Sequence, residues 1–195
     1  TAGVDTQDDR LEVELIGWGR GEESYSLAYH TLYGDPSTAE LWLRLDDVLK
    51  TPFSHPITGE IICRSACVDS GGHYTQQVYN YCRTRMGRRI FAIKGVGGEG
   101  YCHFPKGRPE EYYRMLTSEK RVVKYYKGRP RNEWVKTRTR NEALDCRVYG
   151  TAALSILNLN LESLYRKGLR AEVREDEETK RRPARRVKDN YVMRF

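Results

Sequence analysis

The chain has 195 residues, 38% of them apolar and 31% charged, with 34 basic and 27 acidic side chains for a net charge of +7. That size and composition allow one domain with one modest core and exclude a large multi-domain body. No run of about 18 consecutive apolar residues occurs, and Thr1 to Asp9 has neither the basic nor the apolar region of a secretory signal, so neither a membrane span nor export is expected.

The chain opens without a methionine on Ala2-Gly3-Val4, an apolar stretch that reads as the middle of a strand, as expected of a piece cut from a longer protein. Leu11, Val13 and Leu15 then alternate with Glu12 and Glu14, and Tyr25, Leu27 and Tyr29 alternate with Ser26 and Ala28. Gly19 to Ser24 lies between them, so three successive antiparallel strands are expected, two joined by a hairpin-like turn. A helix is expected from about Thr38 to Lys50, with Leu41, Leu45 and Val48 on one face and Pro52 and Pro56 closing it in a loop. Ile61 to Val68 reads as a strand that stops at Asp69-Ser70-Gly71-Gly72. From Tyr74 the spacing turns helical as far as Gly87, and Arg89 to Lys94 reads as a further strand. This βαβ unit demands a parallel pair within an otherwise antiparallel sheet. Pro109 to Ser118 reads as a helix, Arg121 to Tyr126 as a strand and Asn141 to Leu157 as a helix rich in Ala and Leu. The fold class is therefore α/β with a mixed sheet. The expected domain covers residues 1–167, followed by a basic tail or linker, 168–195, in which the apolar pattern fades.

The five cysteines, Cys63, Cys67, Cys82, Cys102 and Cys146, are odd in number, contain no CxxC pair and mostly sit inside apolar patterns. A disulfide framework is not expected, and a reduced, intracellular setting is. Zinc on Cys63, Cys67 and His73 is disfavoured by strand neighbours four residues apart.

The net charge conceals an uneven distribution. Thr179 to Phe195 carries seven basic residues against Asp189, and the other 178 residues carry only +1. Glu119 to Arg140 nevertheless holds nine basic residues, Lys120, Arg121, Lys124, Lys127, Arg129, Arg131, Lys136, Arg138 and Arg140, against two glutamates. Such clusters point to a polyanionic partner, the competing reading being a solvated basic face.

Two strands end alike, Ala2-Gly3-Val4-Asp5-Thr6 and Ala66-Cys67-Val68-Asp69-Ser70, each delivering a carboxylate at a C-terminal strand end, where open α/β sheets put their ligands. A third acid, Asp145, lies on the last helix, in helical register with Val148, Tyr149, Ala152 and Ile156, on the face expected to pack on the sheet. A carboxylate there needs an arginine partner, a proton or a metal ion, and Arg147, two residues on, points elsewhere. Three such acids suit oxygen ligation of two Mg²⁺ or Mn²⁺ ions, about 3.5–4 Å apart, that activate a water and stabilise the leaving oxygen of a phosphodiester. The order of elements is that of ribonuclease H-like nucleases.

The segments GVDTQDDRLEVELIGWGRGEESY, VDSGGHYTQQVYNYCR with RRIFAIKG, and EWVKTRTRNEALDCRVYGTAAL together resemble the nuclease domain of lambda-type tailed-phage terminase large subunits, over roughly Thr1 to Leu157. The resemblance implies a ribonuclease H-like mixed sheet flanked by helices. It also implies a divalent-metal-dependent endonuclease that cuts concatemeric double-stranded DNA into genome lengths, with Asp5, Asp69 and Asp145 as catalytic metal ligands. Its implied partners are DNA, a motor domain in the full-length protein, a small terminase subunit and the portal of the procapsid, in the host cell cytoplasm, with no membrane. Two departures stand out. No GxxxxGK[ST] phosphate loop occurs, so no ATP site is expected in this chain. Family members also tend to carry a segment between the parts matching GVGGEG and YCHFP, so residues are expected to be missing where Gly100 runs into Tyr101.

Secondary candidates are His73, which could position a water or contact a phosphate, Glu142 as a further or alternate ligand, and Lys94, which could meet the scissile phosphate. Asp8 and Asp9 read as turn residues. Asp69-Ser70-Gly71-Gly72 also resembles a phosphate-cradling turn, but an actin-like ATPase needs a duplicated domain that does not fit in this length. The remaining alternative is a noncatalytic DNA-binding clamp of the packaging motor, with the acids merely structural.

Overall fold

The computed structural model describes residues 1–56, 59–95 and 107–168. Three strands come first, β1 (Ala2–Thr6), β2 (Arg10–Trp18) and β3 (Ser24–Tyr33), joined in an antiparallel meander, and the Gly19-to-Ser24 turn holds both Gly21 and Glu22 at positive φ. After α1 (Ala39–Lys50) the chain makes a small hairpin, β4 (Phe53–His55) with β5 (Gly59–Ile61), and then enters the main sheet as β6 (Ala66–Asp69). The helix α2 (Thr75–Arg83) crosses to β7 (Ile90–Ile93), giving a five-stranded mixed sheet in the order β3-β2-β1-β6-β7, with β1, β6 and β7 parallel. The later elements are α3 (Glu110–Leu116), a separate two-stranded ribbon of β8 (Glu119–Tyr126) and β9 (Arg129–Lys136), and α4 (Glu142–Leu157). Residues 161–168 are helical. No helix among the described residues is long and apolar enough to cross a membrane.

The structure departs from these expectations at four places. The strand expected at Ile61 to Val68 begins only at Ala66, because the Ala2 N–H donates to the carbonyl of Ser65 and fixes where the chain joins the sheet. Ile61 belongs instead to the hairpin with Phe53–His55, in the stretch expected to be a loop. The second arm of the ribbon, Arg129–Lys136, was not anticipated: its RPRNEWVK sequence has no apolar alternation, and it is held by its partner strand across a two-residue turn with Lys127 and Gly128 both at positive φ. The helix from Tyr74 ends at Arg83, and Gly87 lies in a 3-10 turn that follows.

The sheet is covered on both faces. On one, Leu11, Val13 and Leu15 pack with Leu41, Leu45 and Leu49 of α1 and with Val78 and Tyr81 of α2. Asp46 of α1 accepts from Arg85, Arg88 and Tyr81, tying that helix to the end of α2. On the other face α4 lies across β1, β2 and β6, so Glu12 and Glu14, the polar half of the β2 alternation, are fully buried. A buried carboxylate needs a cationic partner, a proton or a metal ion. Glu14 meets the equally buried Arg147 of α4 and accepts from the Tyr112 hydroxyl of α3 at 2.7 Å, while Glu12 meets Arg10 and Arg140.

Candidate active site

Parallel pairing of β1 with β6, Val4 opposite Val68, brings Asp5 and Asp69 to the same end of adjacent strands, and the Thr6 hydroxyl donates to the Asp69 carbonyl at 3.1 Å across that end. The third acid arrives because α4 touches β1 backbone to backbone. A Cβ on Gly3 would lie 1.8 Å from the Cys146 carbonyl oxygen and 2.6 Å from the Gly150 nitrogen, and one on Gly150 would lie 2.3 Å from Ile16 Cδ1. Glycine at position 3, where the neighbours are backbone atoms, lets the helix sit this low, whereas at position 150 a Cβ would first displace the tip of the Ile16 side chain; Asp145, adjacent to Cys146, is thereby carried to the strand ends. The same contact corrects the expected helix face. Cys146, Gly150 and Ala153 form its buried centre, Tyr149 is buried beside them, and Asp145 stands at the margin with Val148 and Ile156 exposed.

Asp5, Asp69 and Asp145 line one cleft of about 500 Å³ together with Glu142, His73 and Lys94. Asp5 is 3% exposed; burial pushes its carboxyl up to about 6, with Asp69, Glu142 and Glu12 adding repulsion and a hydrogen bond from Gln7 opposing. Asp145 is pushed up to about 7, by burial first and then by Asp5, against the attraction of Lys136. Asp69 accepts the Gly71 N–H at 3.1 Å, which anchors the glycine turn beneath it. Among the described residues no group of three or more His, Cys, Asp or Glu side chains is drawn together into a metal-ligand cage; the acids face one another across an open cleft.

The residues around them divide by role. Glu142 is buried and ion-paired to Arg10 at 2.7 Å and Arg140 at 3.3 Å, so its charge is already met. His73 is on the exposed rim, its Nδ1 2.8 Å from Asp8. Lys94 and Lys136 line the cleft. Lys120, Arg121, Lys124, Lys127, Arg129 and Arg131 lie on the ribbon, Arg138 is exposed between it and α4, and Arg140 is engaged by Glu12 and Glu142. The tail from residue 169 lies outside the described residues.

Sequence reasoning passed over Gln7, Asn141 and Tyr149. Asn141 Nδ2 donates to Asp145 at 2.8 Å and to Glu119 at 3.2 Å, while its Oδ1 accepts from Lys136 at 2.7 Å. It lies four residues before Asp145, the spacing at which helical side chains meet, and that was the available signal. Tyr149, four residues after Asp145, lines the cleft too; burial, then the three acids, hold its phenol protonated as a donor.

A five-stranded mixed sheet of this order, flanked by helices, with acids at two adjacent strand ends and a third on the covering helix, defines a ribonuclease H-like α/β domain with an acidic cleft. Residues 1–99 and 96–167 match the family described as terminase large subunit gpA, endonuclease domain, and the chain belongs to that family. It is 28% identical over 204 positions to the terminase large subunit of Escherichia phage lambda and 28% identical over 205 positions to that of Enterobacteria phage P21. Each comparison covers 80% of this chain and 32% of the relative, so the chain spans about a third of their length. No solved structure matches it. The two family matches meet at residues 96–99, and the alignments run longer than the part of this chain they cover, so the relatives carry residues without counterparts here. The Gly100–Tyr101 join lies outside the described residues.

Proposed function

We propose that residues 1–167 are a divalent-metal-dependent endodeoxyribonuclease, the DNA-cutting part of a viral packaging terminase, and that 168–195 is a basic tail. The reading rests on membership of the endonuclease family together with one observation: Asp5, buried, and Asp145, half-buried, are mutually repelling carboxylates with no arginine on either, beside Asp69 in the same cleft. Hard oxygen donors carrying uncompensated charge are the donor set of Mg²⁺ or Mn²⁺. Asp5, Asp69 and Asp145 would hold the cation, and the number of acids suits two. When bound, such ions activate a water and stabilise the leaving oxygen of a phosphodiester.

The chain's own groups prepare that chemistry. Gln7 and Asn141 donate to Asp5 and Asp145 and hold their rotamers. Lys94 and Lys136, both in the cleft, offset the charge of an entering phosphate, and His73 on the rim orients water or contacts the backbone. Arg10 and Arg140 neutralise Glu142, which leaves the three aspartates as the unpaired negative charge. In the full-length protein this domain would work with an attached motor, a small terminase subunit and the procapsid portal, on concatemeric double-stranded DNA in the host cell cytoplasm.

The test is divalent-dependent cleavage of plasmid DNA by the chain, with Asp69→Asn as control. Conversion of supercoiled to nicked or linear DNA is expected with Mn²⁺ or Mg²⁺ and not in EDTA, and the variant, which deletes charge but little volume, is expected to lose at least about a hundredfold in rate while keeping its melting curve. Cutting retained by the variant would remove Asp69 from the site. DNA binding without any cutting would leave the clamp.

A further inference from the structure

The β8–β9 ribbon carries seven basic and two acidic side chains between Glu119 and Lys136. Its register sorts them, because directly opposed residues point to the same face. One face bears Lys120, Lys124, Arg129 and Arg131 together with Val122, Val135 and Tyr126, and Lys124 is paired to Glu133. The other bears Glu119 opposite Lys136, Arg121 opposite Trp134, Val123 opposite Asn132 and Tyr125 opposite Pro130. This second face is continuous with the acidic cleft: Glu119 and Lys136 at its foot both bond Asn141, which bonds Asp145. From there it rises for six residues, roughly 20 Å at strand spacing, as a stripe of aromatic and apolar side chains. Tyr125 is 74% exposed, Val123 57% and Trp134 44%. The feet are pinned, Thr137 donating from both its N–H and its hydroxyl to the Ser118 carbonyl.

A surface meant only for duplex phosphates would put its cations toward the cleft. Here four of the ribbon's seven cations are on the reverse face, and on the cleft side Arg121 and Lys136 accompany exposed rings that lead away from the acids. Rings flanked by basic side chains are the means by which proteins hold unpaired bases, whose π-faces stack while the backbone follows the charge. We propose that this face of the ribbon is a stacking platform for unpaired bases of the DNA strand next to the cut, with Trp134 and Tyr125 as the stacking residues. The proposal rests on the DNA-cutting reading above and adds the physical state of the substrate: a strand locally freed from its complement.

The test is made in EDTA, so that binding is read apart from cleavage. A labelled oligothymidylate and a labelled blunt duplex of equal length are titrated by anisotropy with the unaltered chain and with Trp134→Ala/Tyr125→Ala. The double variant is expected to lose about tenfold or more in affinity for the single strand and far less for the duplex, with an unchanged salt slope, because stacking and not phosphate contact is removed. Trp134→Phe/Tyr125→Phe, which keeps both rings, restores binding, and quenching of intrinsic fluorescence by the single strand disappears in Trp134→Phe. Lys124→Ala/Arg131→Ala weakens both DNAs and flattens both salt slopes. Equal loss for single strand and duplex, or no loss, overturns the proposal. So does self-association of the unaltered chain that the Ala pair abolishes without changing DNA binding, since the stripe would then be a contact between copies. Selective single-strand loss in a chain that never cuts leaves the platform standing and the nuclease reading refuted; normal cutting without selectivity does the reverse.

Discussion

Asp145→Asn separates the electrostatic state of the cleft from its chemistry. The Asp145 carboxyl is raised from 3.8 to about 7 by burial and by the facing Asp5. At about 1.4 kcal/mol per pKa unit, this is about 4 kcal/mol of preference of the folded state for the proton. A raised folded-state value means stability present below about pH 4 and lost progressively as pH rises through about 7, so the metal-free chain at pH 8 bears the whole cost. The cleft is open to solvent and the Asn variant forgoes the attraction of Lys136, which leaves about 2 kcal/mol to be recovered. For a domain of this size that is a rise of about 4–8 °C in Tm. Thermal unfolding in EDTA is therefore expected to find Asp145→Asn more stable than the unaltered chain at pH 8, with the gap narrowing toward pH 5. Mg²⁺ or Mn²⁺ at pH 8 is expected to raise the Tm of the unaltered chain and to raise that of the variant much less. A variant melting level with or below the unaltered chain at pH 8, or a gap independent of pH, would refute the claim that Asp145 carries uncompensated charge.

Gly3→Ala drives a methyl into the Cys146 carbonyl, so a loss of about 1–3 kcal/mol in thermal unfolding and a larger loss of cleavage are expected, because α4 must lift and take Asp145 with it; full activity would mean that this close approach does not set the helix height. Arg138→Glu and Arg140→Glu are expected to differ: the first weakens DNA binding and cleavage with an unchanged Tm, whereas the second lowers the Tm as well, since it opens the pairing with Glu12 and Glu142. Deleting Thr179 to Phe195 is expected to flatten the salt dependence of DNA affinity, by about 0.9 in the slope of log K against log salt for each phosphate no longer neutralised, while metal-dependent cutting at low salt persists; abolition of cutting at low salt would put the DNA on the tail.

The sheet was legible because its signals are local. Apolar alternation in β2 and β3, and the abrupt stop of an apolar run at Asp69, identify strands and strand ends without knowledge of partners. The same alternation concealed Glu12 and Glu14. Polar residues at alternate positions ordinarily mean a wet face, and only the arginines at 10, 140 and 147, far apart in sequence, allow a helix to cover them. The low seat of α4 was equally hidden, since it depends on Gly3 meeting Gly150 and neither glycine carries a mark of the other. Arg129–Lys136 is the plainest omission: a strand made by its hairpin partner and by the Lys127-Gly128 turn has no apolar pattern of its own. The acids at 5, 69 and 145 were legible as a set because strand-end aspartates have a recognisable place in α/β sheets, whereas Asn141, which bonds the third, announces itself only once the helix start is known.

The span between Gly3 and Gly150 has a consequence for the order in which the molecule is made. Loop-closure entropy delays contacts between distant parts of a chain, and synthesis delivers the N-terminal part first. The meander and the βαβ crossover have all their partners once Ile93 has emerged. The seating of α4 on β1 awaits residues near 150, so two of the three acids stand at the ends of the interior strands β1 and β6 before the third exists. The cleft is thus completed only by long-range packing of α4, and a nascent or truncated chain that stops short of α4 lacks the complete acid set.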